Sequence, residues 1–171
     1  MRNPLIYFTI LVLVALAGCS SESSDEPVDE LGITGYIMDK GDEGILVVST
    51  EAKDYSGTGG IEEYYDAVWT GGAPDDVEVG DYVEIQFEGG VLDSYPAQAA
   101  VGELEVIPGS TPEGATLSDT EVLNKALTTN IFGNEILTVQ TIEFDAEQDE
   151  WTIVLKNTDS YEEHTIRVED E

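Results

Sequence analysis

Positive charge is nearly missing from this sequence. Only 6 of its 171 residues are Lys or Arg, against 37 Asp or Glu, which leaves a net charge of −31. Sequence-independent binding to DNA or RNA needs Lys and Arg to neutralise phosphates, so nucleic acid is excluded as a partner. Cysteine is as scarce: Cys19 stands alone, and no disulfide can close within the chain. One histidine, His164, and one cysteine are too few for a zinc site. Any Ser-His-Asp mechanism would have to run through His164, and its setting among Tyr161, Glu162 and Glu163 reads as a surface position. Neither the G-x-S-x-G elbow nor the G-x-x-x-x-G-K-[ST] phosphate loop occurs. The sequence therefore implies no catalytic residue, no cofactor and no metal ligand set. Hydrophobic residues, at 41%, are too many for a disordered acidic tail and suffice for a core.

No apolar run reaches the ~20 residues of a membrane span. The run from Leu5 to Ala17 instead has the length of a signal-peptide core, preceded by Arg2. It ends in Leu16-Ala17-Gly18-Cys19, which resembles a bacterial lipobox. In such signals the cysteine sulfur accepts a diacylglyceryl group and the chain is cut just before it. The expected lipidation site is Cys19, with residues 1–18 as the signal peptide. Acyl chains anchor at ~0.8 kcal/mol per buried methylene, so a doubly acylated chain is membrane-held without spanning. Cleavage would remove Arg2 and no acid, leaving 5 bases against 37 acids. Residues 19–30 are rich in Ser and acids and read as a self-repelling tether. The expected location is the extracytoplasmic face of a cell membrane.

Such an acid excess repels itself, and salt relieves the repulsion. Three readings stand: a salt-adapted surface, calcium binding through carboxylates, or a cationic partner such as a basic peptide. The acids are spread along the chain, which favours the first. Asp145, Glu147 and Asp149 have the first ligand spacings of an EF-hand loop, but Glu150 and Lys156 stand where Gly and Glu are needed. That segment reads as a hairpin turn.

Residues 31–107 read as β-structure. Short strands are predicted at Ile33–Met38, Ile45–Ser49, Tyr64–Trp69, Val83–Phe87 and Gly102–Val106, with a loop from Ala52 to Gly60. Gly89-Gly90 is expected to end or bulge the fourth. Five such strands fit a small OB-like barrel. A Pro- and Gly-rich linker occupies 108–115. Over 116–171 the period changes. Ser118 and Glu121 have capping-box spacing, Val122/Ala126 and Leu123/Leu127 mark an apolar helical face, and strands follow at Ile136–Phe144, Trp151–Lys156 and Thr165–Val168. The fold class expected is mainly β: an OB-like five-stranded barrel followed by a small α+β unit. That unit is marginal alone and should pack on the barrel.

Gly35-Tyr-Ile-Met, Ile45-Leu-Val-Val-Ser, Tyr64-Tyr-Asp-Ala-Val-Trp69, Val79-Gly-Asp-Tyr-Val and Ser94-Tyr-Pro-Ala-Gln98 occur in that order. Together they resemble the YobA-like lipoproteins of Bacillus-type bacteria, a family of unknown function, over about residues 33–107. The resemblance implies an OB-like barrel on a Gram-positive cell surface and supplies no catalytic residues.

The aromatic segments suggest where a ligand could sit. Tyr64, Tyr65, Trp69 and Tyr95 could form a platform at the barrel mouth, with Gln98 a further polar handle in the Ser94–Gln98 loop. Tyr65, Ala67 and Trp69 share a face in a regular strand, and core packing competes with ligand contact there. The expected function is a non-catalytic, lipid-anchored module binding a peptide, protein or envelope polymer through Tyr65, Trp69, Tyr95 and Gln98. A calcium- or salt-responsive structural envelope domain is the alternative. A carboxylate-based enzyme acting on envelope material is a third reading.

Overall fold

Residues 31–171 are described by a computed structural model. The expected signal peptide, Cys19 and the tether lie outside the described residues. Strands β1 (Gly32–Gly41), β2 (Gly44–Lys53), β3 (Tyr64–Gly71), β4 (Tyr82–Leu92) and β5 (Ala97–Ile107) close into a barrel in the order β1-β2-β3-β5-β4. All pairs are antiparallel except β3 with β5. The result is OB-like. Alternation along the strands builds its interior: Ile33 and Ile37 of β1, Ile45 and Val47 of β2, Val68 of β3, and Val83 and Ile85 of β4 are all buried in one cluster. Gly35 lets β1 and β2 cross closely, because a Cβ there would lie 2.1 Å from the Val48 carbonyl oxygen.

Strand β2 is buried on both faces, as its unbroken run Ile45-Leu46-Val47-Val48 requires. Leu46 and Val48 point outwards and form a second cluster with Ala67, covered by Met38, Trp69 and Ile136. Of these, Ile136 belongs to the second unit, which covers this face. That unit consists of helix α1 (Asp119–Thr129) and a sheet of β6 (Leu137–Asp145), β7 (Glu150–Asn157) and β8 (Glu163–Glu169), in that order. The Ser118 hydroxyl accepts from the Glu121 amide while the Glu121 carboxylate accepts from the Ser118 amide, which starts α1 as the sequence expects. Val122, Leu123 and Ala126 of α1 pack on Trp151, Ile153 and Leu155 of β7, all of them 0–1% exposed.

Polar contacts fix the two units together. Thr138 Oγ1 donates to the Ser49 carbonyl at 2.7 Å, and Asn124 Nδ2 donates to the Val79 carbonyl at 2.7 Å. Gly80, with φ +94°, lies directly under α1; a Cβ there would come within 2.6 Å of the Asn124 amide nitrogen. The segment that follows the linker is also fastened. Buried Asp170 accepts from the amides of Thr116 and Leu117 and, at 2.9 Å, from Trp151 Nε1. Burial pushes the Asp170 carboxyl pKa up, but these donors outweigh it and hold the group below the usual carboxylate range.

Strand boundaries extend beyond the sequence expectation. Strand β2 continues to Lys53, into the segment read as loop, and Ser56–Thr58 forms a 3-10 turn. Strand β4 survives Gly89-Gly90 by a register shift between Glu88 and Leu92, with Gly89 at φ +82°. The Asp145–Glu150 segment is the turn between β6 and β7. The Asp145 carboxylate is engaged there by the amides of Glu147 and Gln148, at 2.9 and 3.2 Å. Among the described residues no group of three or more His, Cys, Asp or Glu side chains is placed to hold a metal ion. No helix among them is long and apolar enough to cross a membrane.

Candidate functional site

Strand β3 carries Tyr65, Ala67 and Trp69 on its outer face, and the three meet different fates. Tyr65 lies under the second unit and is 4% exposed. Its hydroxyl donates to Glu63 Oε1 and accepts from Gln140 Nε2 at 3.0 Å. Lys156 Nζ reaches the same Glu63 oxygen at 2.9 Å, and the Tyr161 hydroxyl donates to the Glu63 carbonyl at 2.8 Å. The hydrogen bond from Tyr65, then that from Lys156, holds the Glu63 carboxyl below the usual carboxylate range. Tyr65 is therefore a pin between the units, and no ligand reaches it from solvent in this arrangement.

Trp69 sits where the cover runs out, and it is half-buried. A hollow of about 530 Å³ opens on one side of it, between Leu46, Met38 and Pro96 of the barrel region and the α1–β6 loop. A second, of about 810 Å³, opens on the other side, between the Asp42-Glu43 turn and Gln98. Trp69 lines both hollows, which together make up the cleft at this residue. Gln98 is the register partner of Trp69 across the parallel β3–β5 pair and is exposed.

The loop wall of the cleft is fastened at one end. The Ile136 carbonyl accepts from the Thr158 amide and hydroxyl, at 2.9 and 3.1 Å. Glu135 Oε2 meets Asn157 Nδ2 at 2.9 Å and His164 Nε2 at 3.0 Å. The His164 ring also packs edge-on against Phe132, and no serine or threonine hydroxyl bonds to it among the described residues. At the lip Ile131 is 96% exposed.

Tyr95 belongs to a separate group. Its ring meets Tyr64 at 5.7 Å, and Tyr64 meets Tyr55 at 5.6 Å, making a partly exposed row. The Tyr95 hydroxyl donates to the Tyr65 carbonyl at 3.3 Å, and the Tyr95–Pro96 bond is cis. Beside the row Lys53 pairs with Asp66. Burial, followed by Asp66 and Tyr55, raises the Tyr64 hydroxyl pKa. The four residues expected to act together are thus divided: Trp69 and Gln98 share the cleft, Tyr95 joins Tyr64 in the row, and Tyr65 is interior. Sequence reasoning missed Ile131 and Tyr55. Ile131-Phe132 before Gly133-Asn134 is an apolar pair in a turn-forming loop, and that mismatch was the available signal.

The lysines and arginines among the described residues are all engaged. Lys53, Lys156 and Arg167 pair with Asp66, Glu63 and Glu150. Lys40 Nζ donates to the carbonyls of Asp75 and Val77, at 2.9 and 2.7 Å. Lys125 Nζ donates to those of Glu169 and Glu171, at 3.2 and 3.4 Å. These are all the Lys and Arg residues among the described positions.

Comparison with known proteins covers the barrel alone. No curated protein and no solved structure matches the chain. Residues 34–108, the span of β1 to β5, match the family model described as Protein of unknown function (DUF3221), so the barrel is similar to a domain whose activity is unassigned.

Proposed function

We propose that this chain is a lipid-anchored extracytoplasmic surface protein of the YobA-like kind, working as a non-catalytic binding module for a peptide, protein or envelope polymer. The cleft over Trp69 carries the reading. OB-like barrels bind through the face of strands 2 and 3 and the loops beside it. Here the second unit covers that face at Tyr65 and leaves it open at Trp69. Ile131, 96% exposed next to half-buried Phe132, stands at the lip of a hollow floored by Leu46, Met38 and Trp69, and this supports the reading. The anchor rests on Leu16-Ala17-Gly18-Cys19 and the acidic segment after it.

Two experiments test the reading. Cys19→Ser should abolish lipid labelling and release the protein from membranes; full membrane retention would refute the anchor. A photo-crosslinker at position 131 on intact membranes should label one saturable partner. Trp69→Ala should cut that labelling about tenfold or more, as loss of a central tryptophan does. Equal labelling in the variant would refute the cleft.

The committed cations favour a second reading, a salt-responsive structural envelope domain. It expects NaCl to raise the melting temperature. Its calcium branch expects a further rise with micromolar calcium at fixed ionic strength, reversed by chelator.

A further inference from the structure

We infer that the Trp69 cleft takes a cationic peptide segment bearing one bulky apolar side chain, the side chain seated against Trp69 and Leu46 and the cationic groups against Asp39, Asp42 and Glu43. The inference rests on the binding-module reading and names its ligand. The hollow on the loop side has an apolar floor of Leu46, Met38 and Trp69, with Ile131 and Phe132 on its lip beside Asn130 and Asn134. That floor suits an aliphatic side chain. Both hollows are rimmed by carboxylates: Asp39 and Glu135 on the loop side, Asp42 and Glu43 on the turn side. All four are exposed.

Among the described residues no Lys or Arg is left to compensate the rim acids. Lys40, the neighbour of Asp39 in sequence, gives its ammonium to the carbonyls of Asp75 and Val77. Glu135 alone has a basic neighbour, His164. The cleft therefore offers apolar contact inside a negative field that the protein leaves uncompensated. A phosphate- or carboxylate-bearing envelope polymer would be repelled by the same rim. A neutral glycan could stack on Trp69 but would gain nothing from the carboxylates.

The test uses the full chain in nanodiscs of zwitterionic lipid, with empty discs as the blank. The probe is the amidated peptide Lys-Lys-Leu-Lys-Lys, compared with Lys-Lys-Ser-Lys-Lys, Glu-Glu-Leu-Glu-Glu and a neutral N-acetylated oligosaccharide. Intrinsic fluorescence reads the cleft directly, because Trp151 is 1% exposed and Trp69 is the half-buried tryptophan; Trp69→Phe identifies the signal. The Leu-bearing cationic peptide should saturate the signal and bind at least about tenfold more tightly than either peptide control, one order of magnitude in Kd. Asp42→Asn with Glu43→Gln should weaken it about three- to tenfold and flatten its salt dependence. Equal binding of the Ser peptide, or no effect of the double substitution, would overturn the inference as diffuse charge attraction. Binding of the oligosaccharide instead would overturn it and leave the binding-module reading standing. No response to any probe, together with no crosslink at position 131, would overturn both.

Discussion

Tyr65 and Trp69 stand on the same face of the same strand, four positions apart, and are both aromatic. One is sealed into a hydrogen-bonded network with Glu63, Gln140 and Lys156; the other lines an open cleft. Nothing in β3 itself separates them. The difference comes from β6, which lies over the Tyr65 end, and from the α1–β6 loop, which stands away from the Trp69 end. A barrel face becomes an interior seam or an open cleft according to what another part of the chain puts on it.

The comparison breaks most severely if the cover is loosened. Trp151→Ala empties the middle of the second core and removes a donor from Asp170. We expect a loss of about 3–5 kcal/mol in urea unfolding. Because the units share the seam, the shift should appear in one transition. A separate early transition, with the barrel unmoved, would show that the units are energetically independent.

The seam should also give way to alkali. Tyr36, beside Tyr82 at 4.7 Å between ring centroids, has its hydroxyl pushed up to about 12 by burial, then by Asp119 and Tyr82. The unfolded chain loses this proton near the ordinary value of 10.0, so the native state holds more protons between there and about 12. Stability should therefore be full below about pH 10 and fall above it. Tyr36→Phe should flatten that limb in thermal melts. At the acid end the sign reverses. Glu63 and Asp170, both held low, contribute stability above the ordinary carboxylate pKa that is lost as pH falls through their folded values.

The smallest effects sharpen the contrast. Tyr65→Phe keeps the ring and removes the hydroxyl shared by Glu63 and Gln140, costing about 0.5–1.5 kcal/mol by chemical denaturation. Ile131→Ser, at the open end, should change stability by no more than about 0.5 kcal/mol while weakening crosslinking or peptide binding at the cleft. A large stability loss there would mean that Ile131 serves the fold rather than a ligand.

Much of the fold is legible because it is written in local patterns. Val83, Ile85 and Phe87 alternate with polar neighbours, Ser118 and Glu121 have the spacing of a cap, and Val122, Leu123 and Ala126 repeat as a helix face requires. Even the existence of a cover is implied by Ile45 to Val48, four apolar residues that a half-solvated strand would not carry. The cleft is not legible in this way. Trp69 and Ile131 are brought together only by the docking of two units, and no local rule states which end of β3 that docking leaves open. The shared face of Tyr65 and Trp69 follows from alternation; their opposite surroundings follow from tertiary packing. Tyr55 was hidden for a related reason, since it lies in a segment that reads as polar loop and meets Tyr64 only through the return of the chain.

The commitment of every described lysine and arginine to an internal partner has a colloidal consequence. When two copies approach, carboxylates face carboxylates, and no ammonium or guanidinium among the described residues is spare to bridge them. The field reaches about 8 Å at physiological ionic strength and about 3 Å at 1 M. Copies should therefore keep their distance and spread evenly, like charged latex particles. Concentrated salt, by collapsing that spacing, is the condition that would first let them crowd.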